Sequence, residues 1–189
     1  MVKRNPILVS GMVIAPAVVF ANTYMRAVTL VITFSSITLF TLLFSSFVSQ
    51  RILYTIRIII YTIIGSLVYV PVAIVLNTFI PDSVTEMGVY FPLLITNSFI
   101  ISCSETTFFA ENKGKMLIDI LFSILGYDIA VLIFGVVREI ISTGELNGKI
   151  IAMPMQFSGF SEVYGGFILL GIFAALFRAI NLIVRKIKQ

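Results

Sequence analysis

The sequence predicts an all-α membrane protein: six transmembrane helices forming two inverted three-helix repeats, the first and fourth helices short or broken. Three observations predict it. The chain is 59% apolar and only 12% charged, with a mean hydropathy of +1.08. That is more apolar surface than a soluble domain of this size can hide. Its 189 residues accommodate six crossings of about 20 residues each, with short loops and no soluble domain. Finally, two short apolar segments, one opening each half, share a pattern of proline, three aliphatics, a hydroxyl, then Gly or Asn. They read Pro6-Ile7-Leu8-Val9-Ser10-Gly11 and Pro92-Leu93-Leu94-Ile95-Thr96-Asn97.

The first segment, Ile7 to Phe20, starts after Asn5-Pro6 and carries Gly11. A proline is cheap at a helix start, because its missing N–H would be unpaired there anyway. Lys3-Arg4 before an apolar run and Ala15-Pro16-Ala17 also resemble a secretory leader. The equally apolar chain downstream and the echo in the second half favour a retained segment. The second and third spans are Ala27 to Val48 and Ile58 to Asn77, both free of charge; the third holds Pro71, a kink tolerated inside a bundle. The Ile80-Pro81-Asp82-Ser83 stretch suits an exposed turn. It divides one membrane domain into a repeat of about 1–84 and a second of about 87–189.

The fourth segment, Val89 to Ile101, carries Pro92, Thr96 and Asn97 and turns polar at Ser102. Short, Pro- or polar-interrupted segments at matching places in two halves point to broken helices around a buried site. The fifth span, Met116 to Val137, contains Asp119 and Asp128. The sixth, Gly165 to Val184, contains Arg178. Three spans per half is odd, so halves of shared fold must be inverted.

Charge sets the orientation. With six spans, nine of the thirteen Lys and Arg residues fall on the side holding both termini, which the positive-inside rule makes cytoplasmic. The net charge of +4 follows this topology, and a nucleic-acid partner is not expected. One Cys and no His exclude a disulfide framework and a transition-metal cluster held by this chain alone. The usual catalytic triads, a P-loop and a Gly-rich dinucleotide fingerprint are all absent. No catalytic residue is evident, and NADH is not expected to bind here.

The intramembrane charges are the remaining candidates. Asp128 sits near the middle of the fifth span, where a lone carboxylate is costly unless protonated or paired. Two readings are open: an ion or proton relay, with Glu105 at the polar end of the broken fourth segment, or a structural partner for Arg178. Arg138-Glu139 ends the fifth span and reads as an interface pair or as a loop anchor.

These residues together resemble the Rnf/Nqr family of membrane subunits, and most closely its RnfE/NqrD-like branch. Asn5-Pro6-Ile7-Leu8-Val9 and Phe91-Pro92-Leu93-Leu94-Ile95-Thr96-Asn97 are similar to the family's two opening signatures. Glu105, Phe108, Ala110 and Lys113-Gly114 follow at its spacing, and Gly135-Val136-Val137-Arg138-Glu139 resembles its fifth-helix ending. The resemblance implies a subunit of a bacterial cytoplasmic-membrane complex that couples NADH-linked electron transfer to Na⁺ or H⁺ translocation. It also implies a homologous RnfA/NqrE-like partner of opposite orientation, other complex subunits, and an iron–sulfur centre held by two cysteines from each paired subunit. This sequence has Ala15 and Ser98 at those two positions, and Cys103 lies five residues beyond the second. A methyl and a neutral hydroxyl do not replace thiolates on iron, so no cofactor is expected to be bound by this chain. The alternatives are a substrate-binding membrane component of a vitamin or small-solute uptake transporter, and a purely structural assembly subunit.

Overall fold

The structure, a computed structural model, describes residues 13–49, 51–106, 113–151 and 157–187. Those residues are mostly helical. α1 is Ile14–Phe20, α2 Tyr24–Ser45, α3 Tyr54–Phe79, α4 Ser83–Met87, α5 Tyr90–Leu93, α6 Ser98–Thr106, α7 Lys113–Thr143 and α8 Val163–Ile187. A two-stranded hairpin, β1 (Glu145–Leu146) and β2 (Lys149–Ile150), follows α7, and a 3-10 turn at Ser158–Ser161 leads into α8. The hairpin turns at Asn147 and Gly148, both with positive φ, as a tight two-residue connection between right-twisted strands requires.

Among the described residues, three helices are long and apolar enough to cross a membrane: α2, α3, and Gly114–Thr143 of α7. α8 carries a shorter apolar stretch, Val163–Ala179. The second, third and fifth predicted spans thus map onto α2, α3 and α7, and α3 runs through Pro71 without ending. The predicted fourth segment is not one short helix. It is split into α5 and α6 by turns at Leu94–Asn97, with the separate turn of α4 ahead of it. Of the first segment, Pro6 and Gly11 lie outside the described residues. Its described part is the seven-residue α1, preceded by Val13 in the left-handed region at φ 58. The second opening segment therefore leads through non-helical backbone into a short helix, and the described part of the first is a short helix after the left-handed Val13. The expected Ile80–Ser83 turn is present, with Asp82 at φ 64 and the Ser83 N–H donating to the Ile80 carbonyl.

α2 and α7 form the centre of the packing. Leu30, Phe34 and Ile37 of α2 and Ile120, Ile124, Tyr127 and Val131 of α7 are buried between the elements. Phe34 stacks on Tyr127 at 3.9 Å between ring centroids and meets Phe99 of α6 at 5.9 Å. A methyl group at Gly135 would lie 2.5 Å from the Ala27 Cβ. In a bilayer, where lipid is as apolar as leucine, such small-residue approach is a main source of helix association. α3 packs on α2, yet most of its length is exposed, including Ile59, Ile63, Leu67 and Ile74. An apolar groove of about 630 Å³ runs between α2 and α3, lined by Phe40, Phe44, Pro71 and Val75 among others.

Candidate functional site

Among the described residues, the charged side chains most shielded within this apolar body fall into three stations. The first lies at the end of α7. Arg138 is completely buried. Its guanidinium donates to five backbone carbonyls: Val18 and Ala21 (3.4 Å) around the end of α1, Phe160 (2.7 Å), and Ser161 and Glu162 (3.0 Å each) before α8. The last carbonyls of a helix lack partners within it and carry partial negative charge; the planar five-donor fork of Arg meets several at once. Gly166 makes room for it, since a Cβ there would stand 3.0 Å from the Arg138 Cζ.

Glu139, the next residue, is also buried. Its Oε2 accepts from the Tyr24 N–H at 2.6 Å, at the start of α2, and its Oε1 accepts from the Asn147 N–H at 3.1 Å. A carboxylate at a helix N-terminus satisfies an orphan donor and meets the positive end of the dipole. Both members of the pair are thus buried, with these contacts inside the chain. Together they close the α1–α2 corner against the α7 end.

The second station links α3 and α6. Arg57 donates to both oxygens of Glu105, from Nε at 3.2 Å and from Nη2 at 2.7 Å, and the Tyr61 hydroxyl donates to Oε1 at 3.2 Å. The two charged side chains are 12% and 19% exposed, so this ion pair is largely shielded from solvent. Glu105 is therefore held in a bidentate pair with both of its oxygens engaged.

The third station is Asp128 of α7, 8% exposed. The Ser35 hydroxyl of α2 donates to its Oδ2 at 2.6 Å. Its Oδ1 is buried without a hydrogen-bond partner among the described residues. Arg178 is exposed on α8, and the Asp128–Arg178 pairing considered from sequence is not formed. Asp128 and Glu105 have separate partners on separate helices.

The broken segment is stitched by Asn97, buried at 7% exposure. Its amide donates to the Leu94 carbonyl at 2.7 Å, and its oxygen accepts from the Ile100 N–H at 2.8 Å. It spans the gap and caps α6, the usual work of an N-cap Asn. Pro92 and Thr96 are exposed. Ala15 on α1 and Ser98 at the start of α6 are exposed as well, and Cys103 is half-buried on α6. No three His, Cys, Asp or Glu side chains converge among the described residues. The donors at the two positions in question are a methyl and a neutral hydroxyl, a set that does not fit iron–sulfur ligation.

Ser35, Arg57 and Tyr61 escaped sequence reading. Their signal was faint: single polar residues in or beside apolar spans, with partners 93, 48 and 44 residues away.

Comparison with known proteins gives a consistent result. Residues 1–184 match the family model described as "Rnf-Nqr subunit, membrane protein". The chain is 30% identical over 169 residues to the NqrD subunit of the Na(+)-translocating NADH-quinone reductase of Neisseria meningitidis, covering 89% of this chain and 81% of that protein. It is 28% identical over 183 residues to the corresponding NqrD protein of Pseudoalteromonas translucida, covering 93% and 87%. It is also 27% identical over 144 residues to the RnfE subunit of the ion-translocating oxidoreductase complex of Haemophilus ducreyi, covering 76% and 63%.

Proposed function

The chain belongs to the Rnf-Nqr family of membrane subunits, and on that premise we propose that it is a divergent membrane subunit of a complex coupling NADH-linked electron transfer to Na⁺ or H⁺ translocation. One observation carries the reading: similarity to subunits of redox-driven, ion-translocating complexes extends over most of both chains. The chain would cross the bacterial cytoplasmic membrane six times as an inverted repeat, with both termini in the cytoplasm. α1 and the α5–α6 segment would be its two broken helices. Its partners would be a homologous subunit of opposite orientation and the other subunits of the complex.

The proposal assigns no iron to this chain. Ala15 and Ser98 supply no thiolate, and the single Cys103 lies on α6, five residues and about 140° of helix rotation beyond Ser98. What the chain contributes is a scaffold with buried charge. The Arg57–Glu105 pair fastens α6 to α3, and Asp128 stands in the middle of α7 with one oxygen unpartnered among the described residues.

The test is purification of the native complex through a tag on this chain, followed by identification of its subunits and by NADH-driven cation uptake in vesicles. A homologous membrane subunit and coupled uptake are expected. Recovery with an energising module and a tightly held vitamin instead would establish the uptake-transporter alternative and sink the proposal. Iron analysis of the chain separated from its partners is expected to find none.

A further inference from the structure

Many hydroxyl groups in these helices bond back to their own helix. Thr29, Thr33, Thr62, Ser66, Thr78 and Ser123 each donate to the carbonyl four residues back, at 2.7 to 3.0 Å. That is the ordinary solution for a helix hydroxyl without water. Besides Ser83 on α4, the buried hydroxyls of Thr38, Thr41 and Ser45 of α2 and Ser104 of α6 do not adopt it. All four are 0% exposed, and their oxygens have no hydrogen-bond partner among the described residues. Buried and unpaired, each carries its full desolvation penalty.

The four are not scattered. Positions 38, 41 and 45 share one face of α2, since spacings of three and four residues return to the same side of a helix. α2 packs against α6, where Ser104 precedes Glu105. Thr41 faces α3, its Cγ2 standing 3.6 Å from where a Cβ of Gly65 would be. The α2 row begins at the Ser45 end, beside the turn into α3 where Arg57 and Tyr61 hold Glu105. It runs inward to Thr38, one turn short of the Phe34–Tyr127–Phe99 cluster. From Ser45 to Phe34 is about 16 Å along the helix at 1.5 Å per residue, near half of a hydrocarbon core of about 30 Å.

We propose that Thr38, Thr41, Ser45 and Ser104 line a half-channel for a monovalent cation, entered from the Arg57 side and stopped at the aromatic cluster, and that this structure holds it closed. The cation assignment rests on the function proposed above; the hydration does not. Polar interiors take up water where apolar ones stay dry, and neutral oxygen ligands without fixed charge suit a small hard cation that must leave again. The row is unpaired among the described residues, so water entering between α2 and α6 relieves it. α6 is a nine-residue helix set off from α5 by the turns at Leu94–Asn97, a natural hinge for that opening.

Cysteine accessibility in the native complex tests this, in membrane vesicles and on a Cys103→Ser background. Thr41→Cys and Ser45→Cys are compared with Ile37→Cys, a fully buried apolar position on the same helix. The probe is a small cationic methanethiosulfonate added from the Arg57 side. Modification of positions 41 and 45 at least tenfold faster than position 37 is expected. Equal, negligible modification of all three overturns the half-channel. Thr41→Val, with subunit content unchanged, is expected to lower coupled cation uptake at least fivefold. Fast labelling with unchanged uptake in Thr41→Val overturns the cation assignment. The subunit composition of the same preparation reports separately on the proposed function, and labelling is read whether or not the complex pumps.

Discussion

Arg138 and Glu139 are neighbours in sequence and hold opposite sides of one corner: Arg138 takes the carbonyls at the end of α1, and Glu139 the first amide of α2. Five acceptors on two segments need a planar fork. A lysine ammonium offers three donors from a single point. Arg138→Lys is therefore expected to destabilise the subunit by at least about 3 kcal/mol, since each stranded buried carbonyl costs about 1–3 kcal/mol. Glu139→Gln keeps one good acceptor and should cost about half as much. Thermal midpoints of the detergent-solubilised complex, followed by size exclusion, check both the size and the order.

The α2–α7 crossing depends on two small residues. Gly135→Ala places a methyl 2.5 Å from the Ala27 Cβ, and overpacking of this kind costs about 1–3 kcal/mol. Ala27→Gly in the same chain should recover most of the loss, because the two substitutions share one contact and do not add. The same thermal assay applied to both singles and the double variant reads the coupling. Additive losses would show that the crossing distance is not the cause.

Glu105→Gln leaves the Arg57 guanidinium with a neutral partner in a mostly dry site. The loss should be about 2–3 kcal/mol, below the ~3–5 kcal/mol typical when a fully buried pair is broken, because both groups keep some solvent exposure. Arg57→Gln with Glu105→Gln should be more stable than Glu105→Gln alone. Retention of the subunit in the purified complex after mild heating distinguishes the two variants from each other and from the unsubstituted protein.

Asp128→Asn preserves side-chain size and an oxygen for the Ser35 hydroxyl but removes the charge. Under the proposed function, the complex assembles and oxidises NADH while coupled cation uptake falls at least tenfold. Ser35→Ala keeps the charge and should lose far less. Uptake and NADH oxidation measured on the same vesicles check the split; an unchanged ratio in Asp128→Asn would make its role structural.

What was legible in the sequence was what the bilayer itself dictates. α2, α3 and α7 could be read because the length of an apolar run reports the thickness it must span. The division of the fourth segment into α5 and α6 was only hinted at by Asn97, whose type suits a helix start, a turn or an interior bond equally. The roles of Arg138 and Glu139 were hidden for another reason. Their partners are backbone carbonyls and amides, which every residue carries, 22 to 120 residues away for the arginine. The hydroxyls of α2 were hidden as well, because serine and threonine hardly interrupt a hydrophobic run and their pairing depends on rotamer.

The Arg138 contacts also impose an order on biogenesis. α1 and α2 leave the ribosome first, but three of the five carbonyls that satisfy the guanidinium belong to Phe160, Ser161 and Glu162. At the usual rate of about 5–20 residues per second of synthesis, the amino-terminal corner waits on the order of ten seconds for its last acceptors. Arg138 itself follows most of that wait and precedes Glu162 by 24 residues, so its guanidinium is partly unpaired for only about 1–5 s. The corner that is first to be translated is thus among the last to be finished, and its completion waits for the turn that leads into α8.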